Sequence, residues 1–342
     1  SRIIPFTFSD ASKIEGSIYA EIEDIVPFDL DDMIIDHQVL GTIKDQTFAL
    51  VVMTKKKFLS NYLNHLQKID VDPKLIDIDS LTLYNICPFL PEDSGCYAII
   101  DVGHEKTSVC IVKDKMLRMF RTINLGGRYL TQFLARDLGV DYNEAQRIKH
   151  RVSKLFLSKT QAADLKGEDK RVAENLTKGC QSLVKELGRT LYAFKTWERD
   201  PVSGIYLSGG TSRIDGFAEV LEKELHIDTH REKLDKQALK VSSHIETKLP
   251  SMTQGIAIGL RAVTSVKRKS QINLRKDEFA FVQDYTSLMG SVSSILKYFS
   301  FILILLSVGY FAKYYNYDKQ TKQIMSVYKK ELFAQLPASK MK

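Results

Sequence analysis

A short loop between two apolar runs carries the residue types that could bind a phosphate group. Ala98-Ile-Ile runs into Asp101-Val-Gly103, and Thr107 opens the apolar run that follows. Backbone N–H groups of such a loop can bind an anion, while the carboxylate and the hydroxyl can hold a metal ion or its water. A strand, an Asp, a Gly and a second strand also describe an ordinary hairpin. Taken alone, the loop leaves both interpretations open.

A second turn with two glycines follows an apolar run at 204–208. Gly209 and Gly210 lack side chains, so their backbone could approach a flat ligand closely. Apolar residues recur at helical spacing after the turn: Phe217, Val220, Leu221 and Leu225. The alternative is a plain strand-to-helix turn without a ligand.

Several further elements must position these two loops. Strands are predicted near 34–40, 47–53, 75–78 and 116–123, and helices over 14–25 and near 57–68. A further helix is predicted after Gly126-Gly127, with its apolar face formed by Leu130, Phe133, Leu134 and Leu138. Asp10 is expected to cap the first helix and Pro27 to end it. A longer helix around Leu187 is expected in a smaller inserted subdomain at about 145–200, with a polar, mobile insertion at 158–175. This alternation of strands and helices favours α/β lobes.

Composition excludes several function classes. The 342 residues are 44% hydrophobic, which is enough for a large core or two lobes. The net charge of +7 comes with no basic run interleaved with aromatics, so no nucleic acid partner is expected. Cysteines 87, 96, 110 and 180 show no Cys-x-x-Cys spacing, which indicates buried, reduced thiols of a cytosolic domain. The histidines show no ligand spacing, so no metal site is expected.

One segment near the C-terminus could cross a membrane. Residues 298–312 carry no charge, and extension back to 292 adds only Lys297, which gives about the 20 residues that a span requires. Tyrosines lie near both ends, as is typical of membrane interfaces. A buried core helix is the alternative. Basic residues on both sides leave the orientation undecided by charge, and those at 267–276 could contact anionic headgroups or form a solvated linker.

Taken in order, these elements resemble the second half of an actin-like ATPase (ribonuclease H-like) fold. The Asp101 loop is similar to its second phosphate loop and the Gly209 turn to its adenosine loop. Within that superfamily the chain resembles the type IV pilus assembly protein PilM and the type II secretion L protein, GspL, above all the latter. The resemblance covers about residues 1–275, through Val26-Pro-Phe, Asp36-His-Gln-Val-Leu, Ile76-Asp-Ile-Asp-Ser, Leu125-Gly-Gly-Arg and Gly255-Ile-Ala-Ile-Gly-Leu-Arg.

The resemblance implies a set of nucleotide-site remnants: Asp101, Gly103, Thr107, Gly209 and Gly210. In an ATP-binding relative these positions would contact nucleotide and Mg²⁺. Residues 104–106 are His-Glu-Lys where nucleotide-binding relatives favour small residues, and Glu105 would repel phosphates. The sequence is expected to be a fragment that begins inside the family pattern, after the strand that carries the earlier phosphate loop, and a folded periplasmic domain is expected beyond residue 342. A scaffold with no enzymatic activity and no cofactor is therefore expected; the alternative is an ATP-binding PilM-like protein or a PilM–PilN fusion.

The implied organisation has four parts. An actin-like cytosolic domain over 1–270 leads through a juxtamembrane linker at 271–291 into a transmembrane helix at 292–312 and a periplasmic stalk helix at 313–342. Ile272-Asn-Leu looks like the "INL" signal that precedes the span in L-type proteins and PilN. The stalk carries a stripe that predicts either contact with a partner helix, including a homodimer, or a solvated face: Ile324, Tyr328, Leu332 and Leu336.

The resemblance also implies partners and a location. They are a GspE-like motor ATPase on the cytosolic domain, a GspM-like or PilN/PilO-like membrane partner, and the lipid of the bacterial inner membrane. An alternative from another class is a membrane-anchored cytoskeletal protein similar to FtsA. The membrane helix of FtsA is amphipathic and terminal, whereas here further chain follows the span.

Overall fold

The computed structural model describes residues 1–91, 95–156, 167–231, 234, 249–263, 271–282 and 286–335, and of 286–294 and 332–335 the backbone only. The chain divides into two compact units, Ser1–Phe281 and Val282–Lys342.

A three-stranded antiparallel sheet forms the first part of unit one. Its strands are β1 (Arg2–Phe6), β2 (Met33–Ile43) and β3 (Gln46–Lys55), in the spatial order β1-β3-β2. Helix α1 (Ala11–Glu23) begins where Asp10 accepts a hydrogen bond from the backbone of Lys13. Its isoleucines at 14, 18 and 22 pack into a core with β1 and β3, whereas Ile25 lies beyond the helix and is exposed. Helix α2 (Lys56–Gln67) follows β3 directly.

A five-stranded mixed sheet positions both predicted loops. Its strands are β4 (Cys96–Val102), β5 (Thr107–Lys113), β6 (Met116–Ile123), β7 (Gly204–Ser208) and β8 (Asp228–Arg231), in the order β6-β5-β4-β7-β8. Strand β4 runs antiparallel to β5 and parallel to β7. Every residue of β4 is buried, because the strand lies at the centre of the sheet between two hydrophobic cores. All four cysteines are buried and free, as expected for reduced thiols.

Among the described residues, three helices lie between β6 and β7 in sequence: α4 (Gly127–Leu138), α5 (Tyr142–Val152) and α6 (Gly167–Glu198). They share one hydrophobic core with the five-stranded sheet, and the smaller inserted subdomain at about 145–200 stays a prediction. Residues 167–175, expected in the mobile insertion, form the start of α6 instead, because Val172 and Ala173 are fully buried. The rest of the predicted insertion, residues 158–166, lies outside the described residues. Phe156, two residues before the insertion, is buried.

The structure also describes three shorter helices in unit one: α3 (Asp79–Thr82), α7 (Phe217–Leu225) and α8 (Leu249–Leu260). The predicted strand at 75–78 is wrong, because this extended segment joins no sheet. Ile76 forms two hydrogen bonds with the segment at 273–274: its N–H donates to the Asn273 side chain and its carbonyl accepts from the Leu274 N–H. Unit one continues to Phe281 rather than ending at 270, because Ile272 and Leu274 are buried in its core.

Unit two contains one long helix, α9 (Thr286–Gln335). The helix runs without a break through the predicted span at 292–312 and into the predicted stalk at 313–342, of which 336–342 lie outside the described residues. By length and composition, Ile295–Glu331 could cross a membrane: its most apolar window has a mean hydropathy of 1.9, and none of that window is buried.

Candidate nucleotide site

Asp101 lies at the carboxyl end of β4, where it pairs with Ser208 of the parallel strand β7. The Ser208 hydroxyl donates a hydrogen bond of 3.0 Å to Asp101 Oδ2. Burial raises the pKa of the Asp101 carboxyl, the Asp79 carboxylate raises it further, and the Ser208 hydrogen bond acts in the opposite direction. Asp101 as a whole is only 9% exposed, and its Oδ2 is bonded inside the protein.

The loop after Asp101 is bonded to helix α4. The Gly103 N–H donates to the Lys106 carbonyl at 3.0 Å, which closes the loop. The Gly103 carbonyl accepts from the Gly127 N–H at 3.0 Å and the His104 carbonyl accepts from the Arg128 N–H at 2.7 Å. The first N–H groups of a helix have no partner within the helix and can bind a phosphate. Here the loop's own carbonyls satisfy two of them.

Thr107 is fully buried at the start of β5. Its hydroxyl donates a hydrogen bond of 2.7 Å to the carbonyl of Leu125. That bond joins the strand to the connection before α4, so the hydroxyl is used inside the protein rather than presented to a ligand.

The two glycines of the second turn differ in what they require. Gly209 has a φ of +93°, and a Cβ there would collide with the backbone of Val102. Its N–H donates to the carbonyl of Pro250 at 2.8 Å. Gly210 has an ordinary φ of −61° and open space where a Cβ would stand. The backbone conformation at 209 therefore requires a glycine. Of the two glycines, Gly210 is the one that lines a cleft.

The fold brings the two predicted loops together. The Thr211 hydroxyl, just after the second turn, donates 2.8 Å to the carbonyl of Gly103. Both loops follow the carboxyl ends of neighbouring parallel strands, which is where ligands commonly bind in α/β sheets.

A cleft of about 490 Å³ lies beside these loops, between α5 and the turn after β7. It is lined by His104, Gln146, Lys149, His150, Ser153, Gly210, Thr211, Arg213, Ile214 and Ser251. Four of these side chains are or can become cationic, and none is a carboxylate. The charge of the lining therefore suits an anion, although four of the five predicted site residues do not contribute to it.

Lys149 forms three hydrogen bonds within the wall of the cleft. The residue is 5% exposed, and its Nζ donates to the Gly127 carbonyl at 2.9 Å, to Thr131 Oγ1 at 2.7 Å and to Gln146 Oε1 at 3.0 Å. Burial lowers the pKa of Lys149 to about 8. The sequence patterns did not predict a role for this residue. Its position one helical turn after Ala145, on the buried face of α5, could have indicated that this lysine is buried.

Two charged residues of the 104–106 loop, of which Glu105 is expected to repel phosphate, form ion pairs with neighbouring side chains. Glu105 accepts two hydrogen bonds from Arg128, at 3.0 and 3.1 Å, and Lys106 forms an ion pair with Asp79. Among the residues that the structure describes, no group of three or more His, Cys, Asp or Glu side chains is arranged to hold a metal ion.

Comparison with known proteins identifies the family. A family model described as "Type IV pilus assembly protein PilM" matches residues 3–262, well over half of the chain. The chain belongs to this PilM family. A solved structure described as "PilM-PilN type IV pilus biogenesis complex" matches with a TM-score of 0.62 at 20% identity, over 77% of this chain and 76% of that one.

Two other solved structures match more distantly. They are the ethanolamine utilization protein EutJ of Carboxydothermus hydrogenoformans (TM-score 0.38, 11% identity, 73% of this chain and 99% of that one) and MreB5 of Spiroplasma citri bound to ADP (TM-score 0.41, 11% identity, 59% and 68%). Membership of the PilM family and the actin-like α/β fold are both confirmed. The finer assignment to a type II secretion L protein stays a prediction.

Proposed function

We propose that this PilM-family chain is a non-catalytic scaffold in the inner-membrane assembly platform of a type II secretion or type IV pilus system. Unit one lies in the cytosol and docks the motor ATPase. Helix α9 crosses the inner membrane, and its part beyond residue 312 contacts a GspM-like or PilN/PilO-like partner. The protein thereby holds the motor at the membrane and relays its movement to the periplasm.

The observation that carries this proposal is that predicted nucleotide-site residues are hydrogen-bonded inside the protein. The Thr107 hydroxyl is bonded to Leu125, the Gly209 N–H to Pro250, and Asp101 to Ser208. A phosphate that accepted a hydrogen bond from the Thr107 hydroxyl or from the Gly209 N–H would compete with these bonds, and a Mg²⁺ ion at Asp101 Oδ2 would compete with the bond from Ser208. The loops therefore suit a structural role better than the turnover of a nucleotide.

The composition of α9 supports the membrane position. Side chains through its apolar part, such as Phe301 and Leu305, are more than half exposed, and water would solvate them poorly. Lys297 lies near the start of the predicted span, where its ammonium group can reach the lipid headgroups. The four buried, free cysteines of unit one fit a reducing cytosol on that side of the membrane.

Binding to a motor ATPase tests the proposal. The full chain, purified in detergent, is immobilised and mixed with the cognate motor ATPase of its secretion or pilus system. We expect specific retention of the motor and no ATP hydrolysis by the chain alone. Loss of retention with both proteins folded would count against the scaffold, as would ATP turnover by the chain.

The cationic cleft favours a second candidate function, that of an ATP-binding PilM-like protein. Arg213 and Lys149 lie on its wall with two histidines and no carboxylate. Calorimetry with MgATP on the whole protein, compared between Arg213→Ala and the exposed control Arg136→Ala, separates the two. Binding lost in Arg213→Ala alone supports this candidate; no heat and no thermal shift in the wild type removes it.

A further inference from the structure

A buried ammonium group without a carboxylate partner lies in the wall of the cleft beside the two predicted loops. Lys149 is 5% exposed, and its three N–H groups donate to the Gly127 carbonyl, to Thr131 Oγ1 and to Gln146 Oε1. All three acceptors are neutral. Among the residues that the structure describes, no carboxylate forms an ion pair with this lysine, and burial lowers its pKa to about 8. Buried charges in proteins are normally paired, so this positive charge favours an anion beside it.

The side chains that line the cleft with Lys149 add hydrogen-bond donors and further positive charge. Arg213 lies in the turn after β7, where its guanidinium donates to Ser251 Oγ at 3.3 Å. His104 follows β4, and His150 is next to Lys149 on α5. Burial lowers the pKa of His150, and the charges of Lys149 and His104 lower it further. At neutral pH, therefore, Lys149 and Arg213 supply most of the positive charge of the cleft.

Carboxylates of the neighbouring segments are bonded within the protein. Three of them have these partners: Glu105 with Arg128, Glu144 with Arg147 and Asp101 with Ser208. Mg²⁺ at a phosphate site is usually held by one or two protein carboxylates in addition to the phosphates. None of the described residues that line the cleft offers a carboxylate. Its volume of about 490 Å³ suits a small molecule, and its charge suits an anion without a metal ion.

We propose that the cleft binds a phosphate-bearing molecule as the free anion, without a divalent cation, and that the bound anion supplies the counter-charge of Lys149. This inference rests on the second candidate function and deepens it, because it names the form in which the ligand is bound. A Mg²⁺ ion partly cancels the negative charge of a triphosphate, and in this cleft it gains no carboxylate in return. The free triphosphate is therefore attracted more strongly than its magnesium complex.

Binding of the anion should be coupled to the uptake of a proton. In the free protein the Lys149 amine has a pKa of about 8, so it is about half deprotonated at pH 8. A nearby anion favours the ammonium form and raises this pKa, so each anion bound at pH 8 should take up to about half a proton from solution. The other titratable or charged groups on the elements around the amine are His150 and Tyr142 on α5, His104 after β4, Arg213 after β7, Arg128 paired with Glu105, and Arg151 paired with Asp169 of α6.

Calorimetry on the full chain in detergent tests the form of the ligand. ATP and sodium tripolyphosphate are each titrated in EDTA and in excess Mg²⁺, and binding in EDTA should be at least about fivefold tighter. Equal binding of the two anions would assign recognition to the phosphate chain, and tighter binding of ATP would add the nucleoside; both results support the proposal. Binding that is as tight or tighter with Mg²⁺ would overturn it and leave the second candidate function standing. No binding of either anion in either buffer would overturn both.

Proton uptake at pH 8, measured in two buffers of different ionisation enthalpy, tests the role of Lys149. Lys149→Met keeps the apolar part of the side chain and should bind ATP in EDTA at least about tenfold more weakly, without proton uptake. Arg213→Gln should also weaken binding but keep the uptake, and the exposed control Arg136→Ala should match the wild type. Binding by the wild type without uptake, uptake that persists in Lys149→Met, or unchanged affinity in Arg213→Gln would overturn the proposal. None of these readouts involves the motor ATPase, so the scaffold proposal stands in every case.

Discussion

Lys276 and Asp36 are 240 positions apart in sequence, yet the lysine Nζ lies 2.6 Å from the aspartate Oδ1. The contact ties the last residues of unit one to its first sheet. The Asp36 side chain is buried, whereas the Lys276 side chain is partly exposed, so the lysine lies between the carboxylate and the solvent. The path from unit one to α9 therefore begins in a bonded segment rather than in a free linker.

The second turn should tolerate substitution at one glycine only. Gly209→Ala forces a non-glycine residue to a φ of +93° against the backbone of Val102, which should cost at least about 1–3 kcal/mol of stability. Gly210→Ala, with an ordinary φ and open space, is the matched control and should leave stability nearly unchanged. Urea unfolding measures both; equal losses would contradict the described turn.

The Thr107 hydroxyl should matter for stability and not for a nucleotide. Thr107→Val removes the bond to the Leu125 carbonyl and should cost about 1–3 kcal/mol, whereas Thr107→Ser keeps the hydroxyl and should cost less. Thermal unfolding with and without MgATP is the measurement. A nucleotide-dependent shift in the wild type that Thr107→Val abolishes would return this residue to a binding role.

Lys149 predicts a pH dependence of stability with a defined sign. Burial lowers its pKa to about 8 from the usual 10.5, so between these values the unfolded chain binds a proton that the folded chain does not. Through this window the stability of the wild type should rise with pH relative to Lys149→Met, and below about pH 8 the difference should be constant. Urea titrations of both proteins from about pH 7 to about pH 10 check this, with Lys57→Met as an exposed control. A flat difference would contradict the burial of Lys149.

Helix α9 should lose membrane insertion when a charge enters the middle of the predicted span. Ile302→Arg should weaken insertion by about 2.5–3.5 kcal/mol, the cost of an arginine at the centre of a spanning helix. Met325→Arg, beyond residue 312, should insert like the wild type. Resistance to alkaline extraction from membranes measures the inserted fraction, and an equal effect of both variants would argue against a span at 292–312.

Sequence patterns were sufficient where local periodicity decides structure. The isoleucines of α1, the apolar run of β4 and the double-glycine turn each carry their own signal. The predicted strand at 75–78 failed because its partner segment, residues 273–274, is far away in sequence and forms one side-chain and one backbone hydrogen bond with Ile76 instead of a ladder.

For the same reason, only part of the candidate site could be predicted from the sequence. Spacing placed Asp101 and Gly209 at strand ends, but it could not show that the Thr107 hydroxyl and the Gly209 N–H are bonded inside the protein. The cationic cleft joins His104, Lys149 and Arg213 from three separate segments, which no local pattern connects. Such long-range contacts depend on tertiary packing.

Flotation of the motor ATPase with proteoliposomes tests the scaffold most directly. Vesicles of inner-membrane lipid carrying the full chain are mixed with the cognate motor and centrifuged in a density gradient, with empty vesicles as the control. The account predicts that the motor floats only with vesicles that carry the chain, in the presence or absence of added ATP. A motor that stays at the bottom of the gradient, although the chain itself floats and is folded, would contradict it.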